Sequence, residues 1–179
     1  MRLIPGRIGW VIVIILFVLA GFLLWIDVNK WRTTGQPTSG RAAIGAPAPD
    51  ATVWTLLGKP ARLAMFYRRP LVLNFFATWC VPCKAELPLL QRRYMELRRK
   101  GLLVVGVDQE EGATEVSAFV KLSGVTFPVV VDKGEGTLTY DIHAIPTSIF
   151  IDSSGIVRAI HVGELSASDL DADVAKILP

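Results

Sequence analysis

Hydrophobic and polar residues divide the chain into three predicted parts. Residues 8–26 form an apolar run without a charged side chain. At a rise of 1.5 Å per residue, a helix of this length spans a bilayer hydrocarbon core of about 30 Å. Residues 27–44 include a stretch rich in Gly, Thr, Ser, Pro and Ala without hydrophobic periodicity, which indicates a flexible tether. From residue 45 to residue 179, short apolar and amphipathic segments predict one folded domain.

The apolar run 8–26 is predicted to be an uncleaved transmembrane anchor, with residues 1–7 on the cytoplasmic side. Trp10 lies near one end of the run and Trp25 near the other, where interfacial aromatic residues are common. A cleaved signal peptide is the alternative, because Val18-Leu19-Ala20 is an acceptable cleavage triplet. The run continues beyond this triplet to residue 26, and its length favours the anchor. Lys and Arg flank both ends, so charge alone does not fix the orientation.

The folded domain shows strand and helix patterns in alternation. Leu71–Phe76 is an almost continuous apolar run, which predicts a central strand covered on both faces. The other predicted elements are a hairpin of 51–56 and 61–64, strands at 102–107, 127–131, 148–151 and 156–162, and helices at 80–100, 114–122, 136–142 and 166–178. This order predicts an α/β domain with a mixed central sheet, helices on both faces and an N-terminal hairpin extension.

The net charge of +3 is too small to indicate nucleic-acid binding. The basic residues Arg92, Arg93, Arg98, Arg99 and Lys100 do cluster in the sequence, but they belong to one predicted helix. Cations near the C-terminal end of a helix interact favourably with its dipole, so a solvated helix face explains them.

The only two cysteines of the chain, Cys80 and Cys83, lie at the junction between a predicted strand and a predicted helix. Free backbone N–H groups and the helix dipole stabilise a thiolate at Cys80, which makes it the attacking sulfur. Pro82 fits the first helical turn, where its missing N–H costs nothing. Cys83 follows one turn later on the same face and can resolve a mixed disulfide. The spacing predicts dithiol/disulfide exchange.

Other uses of two cysteines are less favoured by the sequence. A zinc site needs further ligands, and the two histidines, His143 and His161, lie far along the chain. A structural disulfide over so short a loop constrains the unfolded chain little. A copper chaperone holding the metal with both thiolates is a third alternative, although no additional soft ligand is evident nearby. We therefore expect neither a metal nor a cofactor.

Two sets of residues carry a resemblance to known families. Trp79–Lys84, Pro88 and Ile145-Pro146-Thr147 resemble the thioredoxin superfamily. The segments 45–50 (Gly-Ala-Pro-Ala-Pro-Asp) and 73–79 (Leu-Asn-Phe-Phe-Ala-Thr-Trp), together with Glu86-Leu87-Pro88, resemble more closely the membrane-anchored TlpA/ResA/CcmG group, which includes DsbE. This resemblance covers nearly all of the chain from residue 45 onwards and implies a thioredoxin fold.

The resemblance also implies roles for several residues. Pro146 matches the cis-proline that faces the cysteine pair. The backbone of Ile145 is then free to pair with an extended substrate segment. Trp79 and Pro82 complete the implied substrate-binding surface beside the cysteines. Core packing is the alternative for Trp79, and an ordinary turn proline is the alternative for Pro146.

Asn74 departs from the thioredoxin pattern, because cytoplasmic thioredoxins resemble one another in a buried aspartate at this position. Asparagine cannot titrate. Glu86, three residues after Cys83, matches a glutamate of ResA-like proteins. If it is partly buried, it has a raised pKa and can exchange a proton with Cys83. The alternative is an exposed glutamate in the first helical turn.

Taken together, the resemblance implies a thiol:disulfide oxidoreductase on a bacterial cytoplasmic membrane, with its domain facing the periplasm or cell exterior. The implied partners are protein disulfides, such as the CxxC pair of an apocytochrome c, and a membrane electron donor of the CcdA or DsbD kind. An oxidase that donates disulfides, as DsbA-like proteins do, is the alternative within the same fold, and the copper chaperone is the alternative outside enzyme chemistry.

Overall fold

The computed structural model describes residues 10, 13–22 and 41–178. Residues 13–22 form a helix, α1, whose side chains are exposed. Within the described ranges, no helix is both long enough and apolar enough to cross a membrane. The predictions for residues 1–7, for the tether up to residue 40 and for the flanks of the 8–26 run lie outside the described residues.

Between residues 41 and 178 the chain forms a seven-stranded mixed sheet with helices. The strands are β1 (Thr52–Thr55), β2 (Pro60–Arg62), β3 (Leu71–Phe76), β4 (Leu103–Gln109), β5 (Val129–Asp132), β6 (Thr147–Ile151) and β7 (Val157–Val162). The helices are α2 (Val81–Leu97), α3 (Ala113–Ser123), α4 (Glu135–Thr139) and α5 (Ala167–Ala175), with 3₁₀ turns at Leu63–Phe66 and Arg98–Lys100.

The order of strands across the sheet is β2-β1-β5-β4-β3-β6-β7. β3 runs parallel to β4, and β4 runs parallel to β5, whereas β6 lies antiparallel to β3 on its other side. β7 and the β1–β2 pair are antiparallel to their neighbours. The sheet is therefore mixed, as predicted, and its centre is the pair β3 and β4.

Every residue of β3 is buried, because the sheet is covered on both faces. Val72 and Phe76 belong to one core with buried residues of α2, α3 and α5. Leu73 and Phe75 belong to a second core, which includes Tyr67 before β3 and Tyr140 after α4. Successive side chains of a strand point to opposite faces, so alternate residues of β3 belong to different cores. The predicted central strand is confirmed.

The predicted N-terminal hairpin is present, with β1 and β2 antiparallel, but its second strand is shorter than expected. β2 ends at Arg62, and the next residues form a 3₁₀ turn in which Leu63 is buried. The carboxylate of Asp50 accepts a hydrogen bond from the backbone N–H of Ala64 at 2.9 Å. This bond takes the N–H group away from strand pairing and explains why the strand stops.

The ends of α2 and α5 carry residues that are common at helix ends. The side chain of Ser166 accepts a hydrogen bond from the N–H of Asp169 at 3.1 Å and so caps α5. Gly101, with φ of +99°, follows the 3₁₀ turn that extends α2. Pro88 lies inside α2, as predicted. Cys80 is the N-cap of α2, which places the cysteine pair at the first turn of this helix.

We expect Leu90→Ala to lower the free energy of unfolding by about 2–5 kcal/mol, because Leu90 is fully buried between α2 and the sheet and its truncation leaves a cavity. Leu122→Ala is the matched control, since Leu122 is 88% exposed on α3, and should change stability by less than about 0.5 kcal/mol. Equilibrium chemical denaturation measures both. Equal losses in the two variants would contradict this assignment of the core.

Candidate active site

The junction between β3 and α2 carries the two cysteines, which are joined by a disulfide with their Cα atoms 5.2 Å apart. The Sγ of Cys80 also accepts a hydrogen bond from the backbone N–H of Cys83 at 3.2 Å. N–H groups of a first helical turn and the helix dipole favour negative charge at the N-cap. When the disulfide is reduced, the same groups stabilise a thiolate at Cys80.

The two sulfurs differ in their access to solvent. Cys80 is 4% exposed, whereas Cys83 is completely buried. A protein disulfide can therefore approach Cys80 more readily than Cys83. The neighbours of Cys80 on the surface are apolar and exposed: Trp79 is 68% exposed and Val81 is 72% exposed. Trp79 is thus a surface residue, and the alternative that it packs in the core is wrong.

The peptide bond between Ile145 and Pro146 is cis, as the resemblance implies. Pro146 immediately precedes β6, whose first residue, Thr147, pairs with Phe75 of β3. β3 leads from Phe75 into the segment that carries Cys80, so the pairing brings the cis-proline to the same end of the sheet as the cysteines. The carbonyl of Pro146 accepts a hydrogen bond from the N–H of Gly163 at 2.8 Å, which ties this loop to the end of β7.

Glu86 lies inside the domain on α2 and is only 1% exposed. Its two carboxylate oxygens accept hydrogen bonds from the amide of Asn74 at 2.7 Å and from the N–H of Leu165 at 2.8 Å. Burial raises the pKa of Glu86, and these two hydrogen bonds oppose the rise. Cys83 is three residues earlier, and residues at this spacing share one side of a helix. The alternative of an exposed first-turn glutamate is wrong.

Asn74 joins this carboxylate to the neighbouring strand. Its amide nitrogen also donates a hydrogen bond to the hydroxyl of Ser148 on β6 at 3.0 Å. The carbonyl oxygen of the Asn74 side chain is buried and has no hydrogen-bond partner in the described part of the chain. Asn74 therefore does not titrate itself but forms a hydrogen bond with the buried carboxyl of Glu86 on α2.

A pair of carboxyls that no sequence motif indicated, Asp108 and Glu111, also lies at this end of the sheet. Asp108 is fully buried near the end of β4, where it pairs with Phe76 of β3. One of its oxygens accepts a hydrogen bond from the N–H of Glu111 at 3.2 Å. The carboxylate of Glu111 in turn accepts hydrogen bonds from the backbone N–H and the hydroxyl of Thr78, the latter at 2.7 Å. Thr78 is two residues before Cys80.

The sequence does contain a signal for this pair. Glu110 and Glu111 directly follow β4, which is parallel to β3. Parallel strands have their carboxyl ends at one edge of the sheet, and β3 leads from that edge to Cys80. Acidic residues that follow the neighbouring parallel strand are therefore expected near the cysteines.

The pKa values of Asp108 and Glu111 shift in opposite directions. Burial, together with the interaction with Glu111, raises the pKa of Asp108 to about 8. Partial burial of Glu111 opposes ionisation, but its interactions with the Asp108 side chain and with Thr78 outweigh burial and lower the pKa of Glu111. At neutral pH, Asp108 therefore holds a proton and Glu111 carries the negative charge.

A family model named AhpC/TSA matches residues 44–160, which include strands β1 to β6, most of β7 and the cysteine pair. The chain belongs to this family. Among curated relatives, ResA of Bacillus thuringiensis, named a thiol-disulfide oxidoreductase, is 36% identical over 137 residues, which are 76% of this chain and 79% of the relative. YneN of Bacillus subtilis, named a thioredoxin-like protein, is 32% identical over 165 residues, covering 90% and 94% of the two chains.

Solved structures show the same fold. A DsbE-type thiol:disulfide interchange protein from Chlorobium tepidum superposes with a TM-score of 0.70 at 28% identity, over 77% of this chain and 99% of that chain. The thioredoxin fold and the resemblance to the ResA and DsbE proteins are thereby confirmed. With the Cys80–Cys83 disulfide at the start of α2, the chain is a thiol-disulfide oxidoreductase of this family.

We expect Asp108→Asn to stabilise the protein relative to the wild type at about pH 8 and to have a smaller effect at about pH 5. The unfolded chain releases this proton near pH 4, whereas the folded protein retains it up to about pH 8. Stability that the protonated carboxyl provides is therefore complete below about pH 4 and is lost as the pH rises through about 8. Asparagine does not ionise. Denaturation curves at both pH values test this, and a difference that is independent of pH would contradict it.

Proposed function

We propose that the protein reduces protein disulfides outside the cytosol while tethered to the membrane by residues 8–26. The observation that carries the proposal is the cysteine pair itself: Cys80 at a helix N-terminus and 4% exposed, Cys83 completely buried, and a cis-proline at the same end of the sheet. The uncharged run 8–26 supports the tether. A tether raises the effective concentration of the domain near membrane partners.

The proposed cycle balances two electrons and two protons. The Cys80 thiolate attacks one sulfur of the substrate disulfide, and a mixed disulfide forms as the other substrate sulfur leaves and takes up a proton. Cys83, after losing its proton, attacks the Sγ of Cys80 and releases the second substrate thiolate, which is also protonated. The substrate is reduced to a dithiol, and the domain is left with the Cys80–Cys83 disulfide that the structure contains.

We further propose that Glu86 takes the proton from Cys83 in the resolving step. Both side chains are buried on α2, where no bulk water is available to accept the proton. A buried carboxyl with a raised pKa is a suitable base, because its ionised form is more basic than that of an exposed glutamate. The hydrogen bonds from Asn74 and Leu165 hold the carboxylate in place through the transfer.

Glu86→Gln should slow resolution of the mixed disulfide by about a hundredfold. In the wild type, the rate should rise as the pH passes through the raised pKa of Glu86, because only the ionised carboxyl accepts a proton. Glutamine cannot ionise, so this rise should be absent from the variant. Stopped-flow measurement of resolution against pH tests both points. Glu96→Gln, an exposed position on the same helix, is the matched control. Identical pH profiles for wild type and Glu86→Gln would remove Glu86 from the reaction.

As substrate we propose the CxxC disulfide of an apocytochrome c, reduced before haem attachment, and as electron source a membrane protein of the CcdA or DsbD kind. The support is the resemblance to the ResA and DsbE group. Trp79 and Pro82 beside Cys80, with the backbone of Ile145, supply the surface against which an extended substrate segment binds. The domain then lies in the periplasm or at the cell exterior.

Cys83→Ala should trap these substrates, because Cys80 forms the mixed disulfide but nothing resolves it. The full-length variant is expressed in its native membrane, and free thiols are blocked. Captured proteins are then separated by non-reducing gel electrophoresis and identified. We expect an apocytochrome c among them. Cys80→Ala is the matched control and should capture far less, since Cys83 is buried. Capture of many secreted proteins without any cytochrome would contradict the cytochrome assignment.

The reduction potential separates the proposed reductase from an oxidase. Values near or below about −270 mV are typical of a reductant such as thioredoxin, and values near about −120 mV are typical of an oxidant such as DsbA. Equilibration of the full chain with a dithiol buffer of known potential measures it, and a value at the oxidising end would assign the protein to disulfide donation.

A further inference from the structure

We propose that Glu111 is a positioning residue for the exchange reaction, which holds the segment leading into Cys80 through its hydrogen bonds to Thr78. The inference rests on the thiol-disulfide exchange of the proposed function and adds a residue outside the cysteine helix. Glu111 contacts neither sulfur through any hydrogen bond found among residues 41–178. Its effect on the chemistry therefore passes through the backbone of residues 77–80, which we call the cysteine loop.

Glu111 contacts the cysteine loop at two polar groups of Thr78, the hydroxyl and the backbone N–H. One carboxylate oxygen accepts the hydroxyl hydrogen of Thr78 at 2.7 Å, and the other accepts its backbone N–H. The next link in the loop is the N–H of Cys80, which donates to the carbonyl of Ala77 at 3.2 Å. Thr78 is thus inside the turn that delivers Cys80 to the N-terminus of α2. A carboxylate that fixes Thr78 also fixes this turn.

Asp108 holds Glu111 from the opposite side. The N–H of Glu111 donates to one oxygen of Asp108 at 3.2 Å. The second oxygen of Asp108 is fully buried and has no hydrogen-bond partner in the described residues. With its pKa raised to about 8, Asp108 keeps a proton at neutral pH, which leaves the negative charge of the pair on Glu111. Hydrogen bonds to an ionised acceptor are the stronger ones, so the contact with Thr78 is well suited to hold a loop.

The position of this turn matters for the reactivity of Cys80. The Sγ of Cys80 is stabilised as an anion only while it faces the N–H groups of the first turn of α2, one of which, at Cys83, is 3.2 Å away. A loose turn lets the sulfur leave these donors. The thiolate then forms at higher pH, and the attack on a substrate disulfide slows at neutral pH.

The test compares variants that remove the hydrogen bonds with a variant that removes only the charge. Glu111→Ala abolishes both bonds. Glu111→Gln can keep them, because its amide oxygen accepts the Thr78 N–H while its NH₂ group donates to the hydroxyl oxygen. Thr78→Val removes the hydroxyl with little change of volume. Glu115→Ala is the charge control, since Glu115 is exposed in the first turn of α3.

The readout is alkylation of Cys80 by iodoacetamide in the reduced full-length protein, followed by mass spectrometry across pH. Positioning predicts that Glu111→Ala moves the midpoint of the alkylation profile to higher pH and slows alkylation at neutral pH by about tenfold. Thr78→Val should show a smaller change in the same direction. Glu111→Gln and Glu115→Ala should stay within about twofold of the wild type.

A purely electrostatic role predicts the opposite sign. Removal of a negative charge near Cys80 favours its thiolate, so both Glu111→Ala and Glu111→Gln would then shift the profile to lower pH. That result, or a wild-type profile for folded Glu111→Ala, would overturn the proposal. If Glu111→Ala does not fold, Thr78→Val decides: a wild-type profile overturns positioning, and a shift to higher pH supports it.

This readout is independent of the proposed substrate. A wild-type protein that alkylates at low pH but captures no disulfide partner would refute the proposed function and leave the positioning role testable. Conversely, normal trapping by Cys83→Ala, together with an unshifted profile for folded Glu111→Ala, would refute the positioning role alone.

Discussion

Complete burial of β3 is the constraint on which the active site depends. All six residues from Leu71 to Phe76 are buried, so the strand needs cover on both faces. The chain that leaves the strand turns at once into α2, which covers one of these faces with Leu87 and Leu90. The N-terminus of α2 is thereby fixed at the edge of the sheet, and Cys80 with it. The position of the reactive sulfur is a consequence of how the core is closed.

Two polar side chains interrupt the apolar face that α2 covers. Asn74 and Asp108 lie on neighbouring strands, and both are fully buried. Burial of a polar group is unfavourable unless hydrogen bonds compensate for the lost water. For Asn74 the compensating group is Glu86, and for Asp108 it is the backbone of Glu111. The domain therefore places one carboxylate, Glu86, on the same helix as Cys83, and another, Glu111, beside the loop that leads into Cys80.

The sequence predicted the elements of the domain well because their patterns are local. The almost continuous apolar run Leu71–Phe76 and the turn formers at 152–155 predicted strands within a few residues of those observed. The cysteine pair was visible from its spacing alone. Burial of Glu86 was not, since it depends on the N–H of Leu165, a contact 79 positions away. The same is true of the contact between Thr78 and Glu111, 33 positions apart. Such contacts become predictable only once the order and direction of the strands are known.

The placement of Glu86 also bears on which sulfur carries negative charge in the reduced domain. A helix N-terminus that stabilises the Cys80 thiolate favours the reduced form of the pair and so makes the disulfide a better oxidant. An ionised carboxyl at Glu86 disfavours a thiolate at Cys83, because the two groups are buried on the same helix and like charges repel. Burial favours the neutral form of Glu86, whereas hydrogen bonds from Asn74 and Leu165 favour its ionised form. Burial of Cys83 acts in the same direction as this repulsion, because a buried thiolate lacks the solvation of water. The reduced pair therefore carries its negative charge on Cys80 and keeps Cys83 as a neutral thiol, so the effect of the helix N-terminus falls on the sulfur that attacks.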